Sequence, residues 1–344
     1  MNGSSMIDSQ VSSSIESSGR SPMDALISVT SADMEAVNTL ILSKAKSHVE
    51  MVPAIARHLI DAGGKRLRPM LTLAAAQLVG ATSGHQISYA AALEFMHNAT
   101  LLHDDVVDES EMRRGKPAAR KIWGNQASVL VGDFLLGQAF MMMVDAGSLP
   151  ALKVLSSAAA TIAEGEVLQL SVATNLDTSE EEYFEVIGAK TAALFEAATE
   201  VGAMAGEPVE AERAALALYG RELGVAFQLV DDVLDYGGAG GVLGKNTGDD
   251  LREGKMTLPI IVALKSATGD ERALIAEALG DDTVDAHRFG IILDIVKRHG
   301  GLNYTLEHAH KHAQAARTAL DSLPASELRD ILANMGDYCV GRAY

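Results

Sequence analysis

Three carboxylates lie close together in an otherwise apolar run of the sequence, at Asp104, Asp105 and Asp108. On a helix, residues four positions apart share a face, so Asp104 and Asp108 would reach the same ligand while Asp105 points elsewhere. Two carboxylates this close raise each other's pKa unless a cation keeps both ionised. Oxygen ligands in this arrangement suit Mg²⁺, which binds one or two carboxylates together with substrate phosphates. The spacing therefore predicts a magnesium site.

A second acidic motif, again embedded among apolar residues, repeats this pattern at Asp231, Asp232 and Asp235. With Gln228 these residues fall at i, i+3, i+4 and i+7, which is one continuous stripe of a helix. One such motif alone would be typical of a solvated helix face. Two of them on apolar helices need cations, because a buried carboxylate without a partner is strongly destabilising. We therefore expect two facing helices with a cleft for several Mg²⁺ ions between them.

Basic residues stand beside glycines at three places near these motifs. The first cluster is Gly-Gly-Lys-Arg-Leu-Arg-Pro at 63–69, the second is Arg-Arg-Gly-Lys at 113–116, and the third spans 244–255. Cations beside magnesium-binding carboxylates indicate a polyanionic ligand, most simply a diphosphate. The sequence contains no Gly-x-x-x-x-Gly-Lys-Ser/Thr motif, which argues against a P-loop nucleotide site.

The elements that position these residues are predicted to be helices. From Met34 onward, apolar residues recur with helical spacing and no alternating strand pattern is present. Glycine and proline breaks divide this region into ten or more helices. Because composition does not change along the chain, we predict one all-α domain over residues 31–344, a single large bundle around a central cavity. Residues 1–30, which begin with a Ser-rich stretch, are predicted to be poorly ordered. Glu166 and Gln169, neighbours on one apolar helix, could be capped polar residues of the core or polar support for the site, and we favour support for the site.

The overall composition limits the partners of the chain. Its 344 residues carry a net charge of −18, which argues against binding to nucleic acid or to an anionic membrane surface. The single cysteine, Cys339, excludes an internal disulfide and fits a reducing compartment, so we expect a cytoplasmic protein. The sequence shows neither a secretory signal pattern nor a run of about 18 uncharged apolar residues, so no stable membrane insertion is expected.

In its motifs the chain resembles the trans-isoprenyl diphosphate synthases, or polyprenyl synthetases, and most closely their long-chain members that make quinone side chains. The acidic motifs, the Gly-Gly-Lys-Arg segment, the Arg-Arg-Gly segment, a Lys-Thr pair at 190–191 and the 244–250 segment occur in the family's order, from about Asp33 to near the C-terminus. The resemblance implies a magnesium-dependent prenyltransferase. It would condense isopentenyl diphosphate repeatedly onto farnesyl or geranylgeranyl diphosphate to give an all-trans octaprenyl to decaprenyl diphosphate. It also implies a homodimer, with at most transient membrane contact when product is released.

The resemblance further implies roles for individual residues. All six aspartates of the two motifs would serve catalysis. Four of them would ligate up to three Mg²⁺ ions: Asp104, Asp108, Asp231 and Asp235. Asp105 and Asp232 would support these four ligands. The allylic diphosphate would be bound by Arg113, Lys190, Lys245 and Lys255. Isopentenyl diphosphate would be bound by Lys65, Arg68, His97 and Arg114. Oxygen dipoles aimed at the allylic carbocation would come from Thr191 and Gln228.

Product length is expected to depend on the residues just before the first motif. Family members with short products carry bulky aromatics at the positions of Ala99 and Thr100, whereas both residues are small here. The helical wheel places Thr100 closer than Ala99 to the Asp104 face, and the resemblance supports both. The next barrier would come from the following helix, where Phe140 and Met143 provide bulk, although core packing is the simpler role for most residues there. These features predict a long product.

Four other classes of protein share parts of this pattern. A short-chain synthase would differ only in its product. A terpene cyclase has one Asp-rich motif but a different second metal motif and no Gly-Gly-Lys-Arg segment. A non-catalytic partner subunit would lack one of the two motifs, and a purely structural helical protein would leave the apolar-embedded carboxylates unexplained. The two complete motifs therefore favour the synthase.

Overall fold

Almost all regular structure in the chain is helical, as predicted. The computed structural model describes residues 20–237 and 247–343, and within them the chain forms seventeen α-helices. In chain order they are α1 (Pro22–Lys44), α2 (Met51–Asp61), α3 (Leu67–Leu78), α4 (His85–Val107), α5 (Ala119–Trp123), α6 (Asn125–Asp145), α7 (Leu149–Val172), α8 (Glu180–Ile187), α9 (Ala193–Met204), α10 (Glu210–Asp235), α11 (Asp249–Arg252), α12 (Leu258–Leu264), α13 (Gly269–Ala278), α14 (Ala286–Arg298), α15 (Gly301–Ala319), α16 (Glu327–Ala333) and α17 (Met335–Val340).

Three kinds of short element complete the fold. A small antiparallel hairpin, β1 (Met112–Arg113) and β2 (Lys116–Pro117), follows α4. A π-helical turn, Gly188–Ala192, joins α8 to α9 without interrupting the helix axis. Two 3₁₀ turns, Leu320–Ser322 and Gly341–Ala343, follow α15 and α17.

Helices α4 and α10 form the centre of the bundle. Helix α4 packs against α1, α3, α6 and α9, and its residues 89–96 are all buried. Helix α10 packs against α9, α15 and α17. Each acidic motif lies at the C-terminal end of one of these core helices. The helix dipole disfavours negative charge at that end, so both motifs stand where a cation is most needed.

Small residues let α10 approach the π-helical turn closely. A Cβ atom at Gly224 would lie 2.7 Å from the Cα of Ala192, and one at Gly220 would lie 2.4 Å from the carbonyl oxygen of Phe195. Neither distance is compatible with a larger side chain, because backbone atoms cannot yield as a flexible side chain can. This close approach brings the side chains of the π-helical turn onto the acidic stripe of α10.

The predicted domain boundary at residue 31 needs correction. Helix α1 begins at Pro22, with the Ser21 side chain accepting the N–H of Asp24, and it buries Met23 and Leu26. Residues 22–30 therefore belong to the helical domain. Their apolar residues have helical spacing, but Ser28 and Thr30 lie among them and hide the pattern. The predicted disorder of residues 1–19 lies outside the described residues.

Two helices, α1 and α6, are long and apolar enough to cross a membrane by length and composition, with mean hydropathies of 1.3 and 1.7. Core helices of soluble proteins pass the same test. Helix α6 also carries Asp133 and Asp145, and one of its faces packs on α4.

Candidate active site

The first acidic wall is the end of α4, where Asp104 and Asp108 are both half-buried. Burial, with the neighbouring carboxylates of Glu166 and Asp108, raises the pKa of Asp104 to about 7, although Lys190 and Arg113 act against this rise. Asp108 accepts a hydrogen bond from the Lys255 ammonium at 3.0 Å. Asp104 and Asp108 thus meet Lys190 and Lys255 at one edge of a cleft. The i, i+4 spacing predicts that the two carboxylates lie together there.

The third carboxylate of this motif points away, as expected. Asp105 is fully buried and pairs with the guanidinium of Arg113, whose Nε lies 2.8 Å from Oδ1. The other oxygen of Asp105 has no hydrogen-bond partner among the described residues. Asp105 therefore holds the β-hairpin against α4, and its support for the site acts through Arg113.

The second acidic wall is the end of α10, where the three carboxylates have different surroundings. Asp231 is partly exposed and lies 3.4 Å from the guanidinium of Arg342. Asp232 is buried, and burial together with the Asp250 carboxylate raises its pKa. Both oxygens of Asp235 accept backbone N–H groups at the start of α11, from residues 249 and 250 at 3.2 and 3.1 Å. Its predicted role as a metal ligand stays a prediction, and in this arrangement it caps α11.

The π-helical turn supplies Lys190 and Thr191 between the two walls. Lys190 donates to Glu166 on α7 at 2.8 Å, which confirms the interpretation of Glu166 as support for the site. The Thr191 hydroxyl donates to Oε1 of Gln228 on α10 at 2.7 Å. An extra residue in one helical turn rotates the following side chains, and such turns are frequent at functional sites.

Lys255 approaches the first wall from the segment that follows α11. It pairs with Asp108 and with Glu253, and Asp250 lies nearby. Burial alone would lower the pKa of Lys255, but the three carboxylates together outweigh burial and raise it. Lys255 therefore stays cationic at the mouth of a cavity of about 170 Å³ that Asp108, Gln169 and Lys255 help to line. Lys245 lies outside the described residues.

A basic pocket lies beside the cleft. Arg68 on α3 stacks on the Phe195 ring at 4.5 Å, and its Nη1 lies 3.4 Å from Nε2 of His97. Burial lowers the pKa of Arg68 to about 10, which leaves it cationic at neutral pH. Burial and the charges of Arg68, Arg114 and Arg113 hold the pKa of His97 well below its usual value, so His97 is neutral. The pocket therefore offers two guanidinium groups and a neutral imidazole.

Arg114 enters the same pocket from the hairpin turn. Its backbone is left-handed, with φ of 51°, and its guanidinium donates to the carbonyl of Gly63. A Cβ at Gly64 would lie 2.6 Å from this guanidinium, so the glycine pair makes room for it. Arg113 turns to Asp105 instead, so the adjacent arginines diverge. Lys65 lies apart, 3.2 Å from the Tyr338 hydroxyl.

Replacing Arg114 with alanine is expected to raise the KM for isopentenyl diphosphate by about ten- to hundredfold, the effect of one lost charge-assisted hydrogen bond. The KM for the allylic substrate should change much less. Steady-state kinetics with each substrate varied in turn will measure both. Lys116→Ala is a matched control, because Lys116 lies on the same hairpin but donates to the carbonyl of Asp61. A larger effect of Arg114→Ala on the KM for the allylic substrate would mean that the roles of Arg113 and Arg114 are exchanged.

The three predicted length-determining residues differ in exposure. Ala99 is 2% exposed and Met143 is 1% exposed, and both belong to the cluster of packed apolar side chains around α4. Thr100 is half-buried, as are His97 and Asp104 on the same side of the helix. Thr100 therefore lines the open side of α4, whereas Ala99 faces packed neighbours.

The donor set of the cleft fits a hard divalent cation. Asp104 and Asp108 on one wall and Asp231 on the other offer only oxygen atoms, which Mg²⁺ and Ca²⁺ prefer. Within residues 20–237 and 247–343, no three metal-ligating side chains converge closely enough to form a complete site. Substrate phosphates and water would therefore have to complete the coordination, which is usual for Mg²⁺.

Two residues near the site carry no signal in the sequence. Tyr183 on α8 donates to the carboxylate of Asp232 at 2.6 Å, and Arg342 reaches Asp231 from the C-terminal 3₁₀ turn. Neither belongs to a motif. They reach the second wall because α8 continues into the π-helical turn, which packs on α10, and because the C-terminal 3₁₀ turn packs on α10. Cys339 is buried.

Comparisons with known proteins agree with this geometry. The family model described as polyprenyl synthetase matches residues 49–296. Octaprenyl diphosphate synthase of Escherichia coli is 44% identical, over 93% of this chain and 99% of that protein. A polyprenyl synthase from Caulobacter crescentus, solved with calcium and isoprenyl diphosphate, is 48% identical with a TM-score of 0.90, over 94% of this chain and 98% of that chain.

A decaprenyl diphosphate synthase from Rhodobacter capsulatus is also 48% identical, with a TM-score of 0.89, and the match covers 94% of this chain and 100% of that chain. The family match spans most of the chain, and these relatives align over nearly their full length. Two acidic walls, a basic pocket and an all-α bundle thus occur in a chain that belongs to the polyprenyl synthetase family, a family of prenyltransferases.

Proposed function

We propose that this protein is a magnesium-dependent long-chain trans-prenyl diphosphate synthase, which adds isopentenyl diphosphate repeatedly to an allylic diphosphate. The observation that carries the proposal is the meeting of two acidic walls with a basic pocket. The π-helical turn joins the two walls, because Lys190 lies close enough to Asp104 for their charges to interact and Thr191 donates to Gln228 on α10. Arg68, in the basic pocket, lies close enough to Asp231 for their charges to interact. One diphosphate would lie between the acidic walls, and a second would lie in the basic pocket. The relative from Caulobacter crescentus was solved with a divalent cation and an isoprenyl diphosphate, which supports this assignment.

The residues of the cleft divide the chemistry between them. Asp104, Asp108 and Asp231 would hold Mg²⁺, and the resemblance implies three ions. The metal would supply positive charge to the diphosphate leaving group. Lys190 and Lys255 would turn from Glu166 and Asp108 toward the same diphosphate.

The basic pocket would hold the second substrate, isopentenyl diphosphate. Arg68 and Arg114 would bind its diphosphate, and the neutral imidazole of His97 can donate one hydrogen bond without adding charge. The double bond of isopentenyl diphosphate would then attack the allylic carbon, and the departing diphosphate would accept the released proton. Apolar walls along α4 would keep water from the carbocation.

The same assignment extends to product length and cellular role. Small residues at Ala99 and Thr100 leave room for an octaprenyl to decaprenyl chain, and the relatives named above are octaprenyl and decaprenyl diphosphate synthases. Such a chain would suit the side chain of a respiratory quinone. We place the enzyme in the cytoplasm, with transient membrane contact when the apolar product leaves.

Product analysis tests the proposal directly. The protein would be incubated with farnesyl diphosphate, isopentenyl diphosphate and Mg²⁺, and the dephosphorylated products separated by chromatography. We expect chains of eight to ten isoprene units, and no elongation when EDTA is present. Products of fifteen or twenty carbons would contradict the length but not the reaction, and cyclised hydrocarbons would indicate a terpene cyclase. A protein that neither reacts nor gains thermal stability from Mg²⁺ with diphosphate would contradict the function altogether.

We also propose that the enzyme is a homodimer through the outer face of α6. This face carries a stripe with spacings of four and three residues: Leu130, Phe134, Gly137, Met141 and Val144. The side chains of Leu130, Met141 and Val144 are 66%, 54% and 63% exposed, so no other described part of the chain covers these three side chains. A contiguous apolar surface of this kind is typical of a subunit interface.

Replacing Leu130 with aspartate is therefore expected to convert a dimer into a monomer at micromolar concentration, because two buried charges would face each other across the symmetric interface. Size-exclusion chromatography with light scattering will measure the mass. Leu218→Asp is a matched control, because Leu218 is 48% exposed on α10. A monomeric wild type, or a dimer that survives Leu130→Asp but not Leu218→Asp, would contradict this interface.

A further inference from the structure

A chain of three hydrogen bonds connects the π-helical turn to α8 through the acidic stripe of α10. Thr191 donates to Oε1 of Gln228 at 2.7 Å, and Nε2 of Gln228 donates to Oδ1 of Asp232 at 2.7 Å. The other carboxylate oxygen of Asp232 accepts the hydroxyl of Tyr183 at 2.6 Å. Short bonds to a carboxylate are the strong ones among side-chain hydrogen bonds. Every donor and acceptor in the chain has a defined direction.

That direction matters at Thr191. The amide of Gln228 could be turned either way, but both oxygens of Asp232 accept hydrogen bonds here, one from Tyr183 and one from Nε2 of Gln228, so Asp232 selects the orientation with Nε2 toward itself. Oε1 then faces Thr191 and takes the hydroxyl hydrogen. The lone pairs of the Thr191 oxygen are left to face away from Gln228. A free Gln228 amide could instead donate to Thr191 and reverse this polarity.

Tyr183 occupies the far end of the chain and is almost fully buried, at 3% exposure. Helix α8, which carries it, begins with a capping box between Ser179 and Glu182, so the position of Tyr183 is fixed from the start of the helix. Its ring also packs edge-to-face on Phe184 at 5.4 Å. Gln228 and Asp232 lie one turn apart on α10. The hydrogen bonds from Thr191 to Gln228 and from Tyr183 to Asp232 therefore hold the π-helical turn and the preceding helix α8 to the same helix.

We propose that Tyr183 is a positioning residue for prenyl transfer, because it holds Asp232 and thereby orients Gln228 so that the Thr191 oxygen faces the allylic carbon. This inference rests on the proposed function and on the carbocation-stabilising roles that the family resemblance implies for Thr191 and Gln228. Tyr183 itself touches no substrate in this arrangement. Its effect reaches the substrate through two intervening side chains.

The first test compares Tyr183→Phe with Tyr219→Phe. Tyr219 is a matched control, because it is fully buried and donates to the carbonyl of Leu332 at 2.9 Å, away from the cleft. We expect Tyr183→Phe to lower kcat about tenfold, as loss of one charge-assisted hydrogen bond would. The KM for each substrate should stay within about threefold, since no binding contact is lost. Equal kcat values for the two variants would overturn the proposal.

The second test is a double-mutant cycle with Thr191→Val, which removes the hydroxyl and keeps the shape. If Tyr183 acts through Thr191, adding Tyr183→Phe to Thr191→Val should lower kcat by no more than about twofold. A tenfold further loss would show that Tyr183 acts by another route and would overturn the proposal. If Tyr183→Phe only destabilised the fold, its effect would add to that of Thr191→Val and give this further tenfold loss. The double-mutant cycle therefore separates a positioning role from a structural role.

Two controls keep the outcomes distinct. Wild-type turnover is measured in the same assay, and an inactive wild type would count against the proposed function, not against the role of Tyr183. If Tyr183→Phe does not fold, Asp232→Asn interrupts the same chain from its centre, because an amide offers one acceptor oxygen where the carboxylate offers two. Asp232→Asn should also lower kcat about tenfold or more. A wild-type kcat in Asp232→Asn would overturn the proposal.

Discussion

Replacing Asp231 with alanine is expected to lower kcat by about 10²–10³-fold, the usual cost of removing one electrostatic stabiliser of a transition state. Of the three carboxylates on the second wall, Asp232 is bound by Tyr183 and Gln228, and Asp235 caps α11. Asp231 is the partly exposed one, with Arg342 beside it and with Arg68 of the basic pocket close enough for their charges to interact. Single-turnover measurements at saturating substrates and Mg²⁺ will give the rate.

Two further variants make this prediction specific. Asp177→Ala removes a carboxylate that is 86% exposed and pairs with Arg272, so it should leave kcat unchanged. Asp235→Ala should mainly lower the free energy of unfolding, by about 0.5–2 kcal/mol, as loss of a helix cap does. Near-normal turnover in Asp231→Ala would show that the second wall binds no catalytic metal. If Asp235→Ala lowered kcat as much as Asp231→Ala does, without lowering the free energy of unfolding, Asp235 would be a metal ligand.

The sequence was sufficient for the parts of the site that depend on spacing within one helix. The i, i+4 relation predicted that Asp104 and Asp108 would share an edge while Asp105 would not, and the structure confirms both. These relations follow from helix geometry alone, which tertiary packing does not alter.

The cap that Asp235 forms and the contact of Tyr183 could not be predicted in this way. Asp235 has the spacing of a ligand, and that role stays a prediction, but its carboxylate also accepts backbone N–H groups of α11, which follows it in sequence and returns to it in space. Tyr183 reaches Asp232 because α8 continues into the π-helical turn, which packs on α10. Contacts between separate elements depend on how the helices are arranged, and the apolar pattern of each helix does not contain that information.

The π-helical turn at 188–192 was equally hidden. The apolar pattern continues from α8 into α9 without a glycine or proline cluster of the kind that marks other breaks, and Gly188 alone does not end a helix. The extra residue is stabilised by contacts outside the helix, including the bond from Thr191 to Gln228. Sequence periodicity predicted a helix there, which is correct, but not the turn that aims Lys190 and Thr191 into the cleft.

Enlarging Thr100 to phenylalanine is expected to shorten the product from an octaprenyl to decaprenyl chain to one of a few isoprene units. Thr100 lies one helical turn before Asp104, about 6 Å deeper along α4 at 1.5 Å per residue. It is half-buried on the same side as Asp104, so a ring at this position would project into the path of the growing chain. The metal-binding wall would be untouched, and the first condensations should proceed at close to the wild-type rate.

Ala99→Phe should shorten the product as well, but at a cost in stability. Ala99 is 2% exposed among packed side chains, so a phenylalanine there must displace its neighbours, which typically lowers the free energy of unfolding by about 1–3 kcal/mol. Chromatography of dephosphorylated products and thermal unfolding will measure both effects, with Thr100→Ser as a control that keeps the side chain small. Unchanged product lengths in both phenylalanine variants would mean that the chain does not pass this face of α4. Shortening in Ala99→Phe alone would mean that the chain passes on the side that α4 turns toward its packed neighbours.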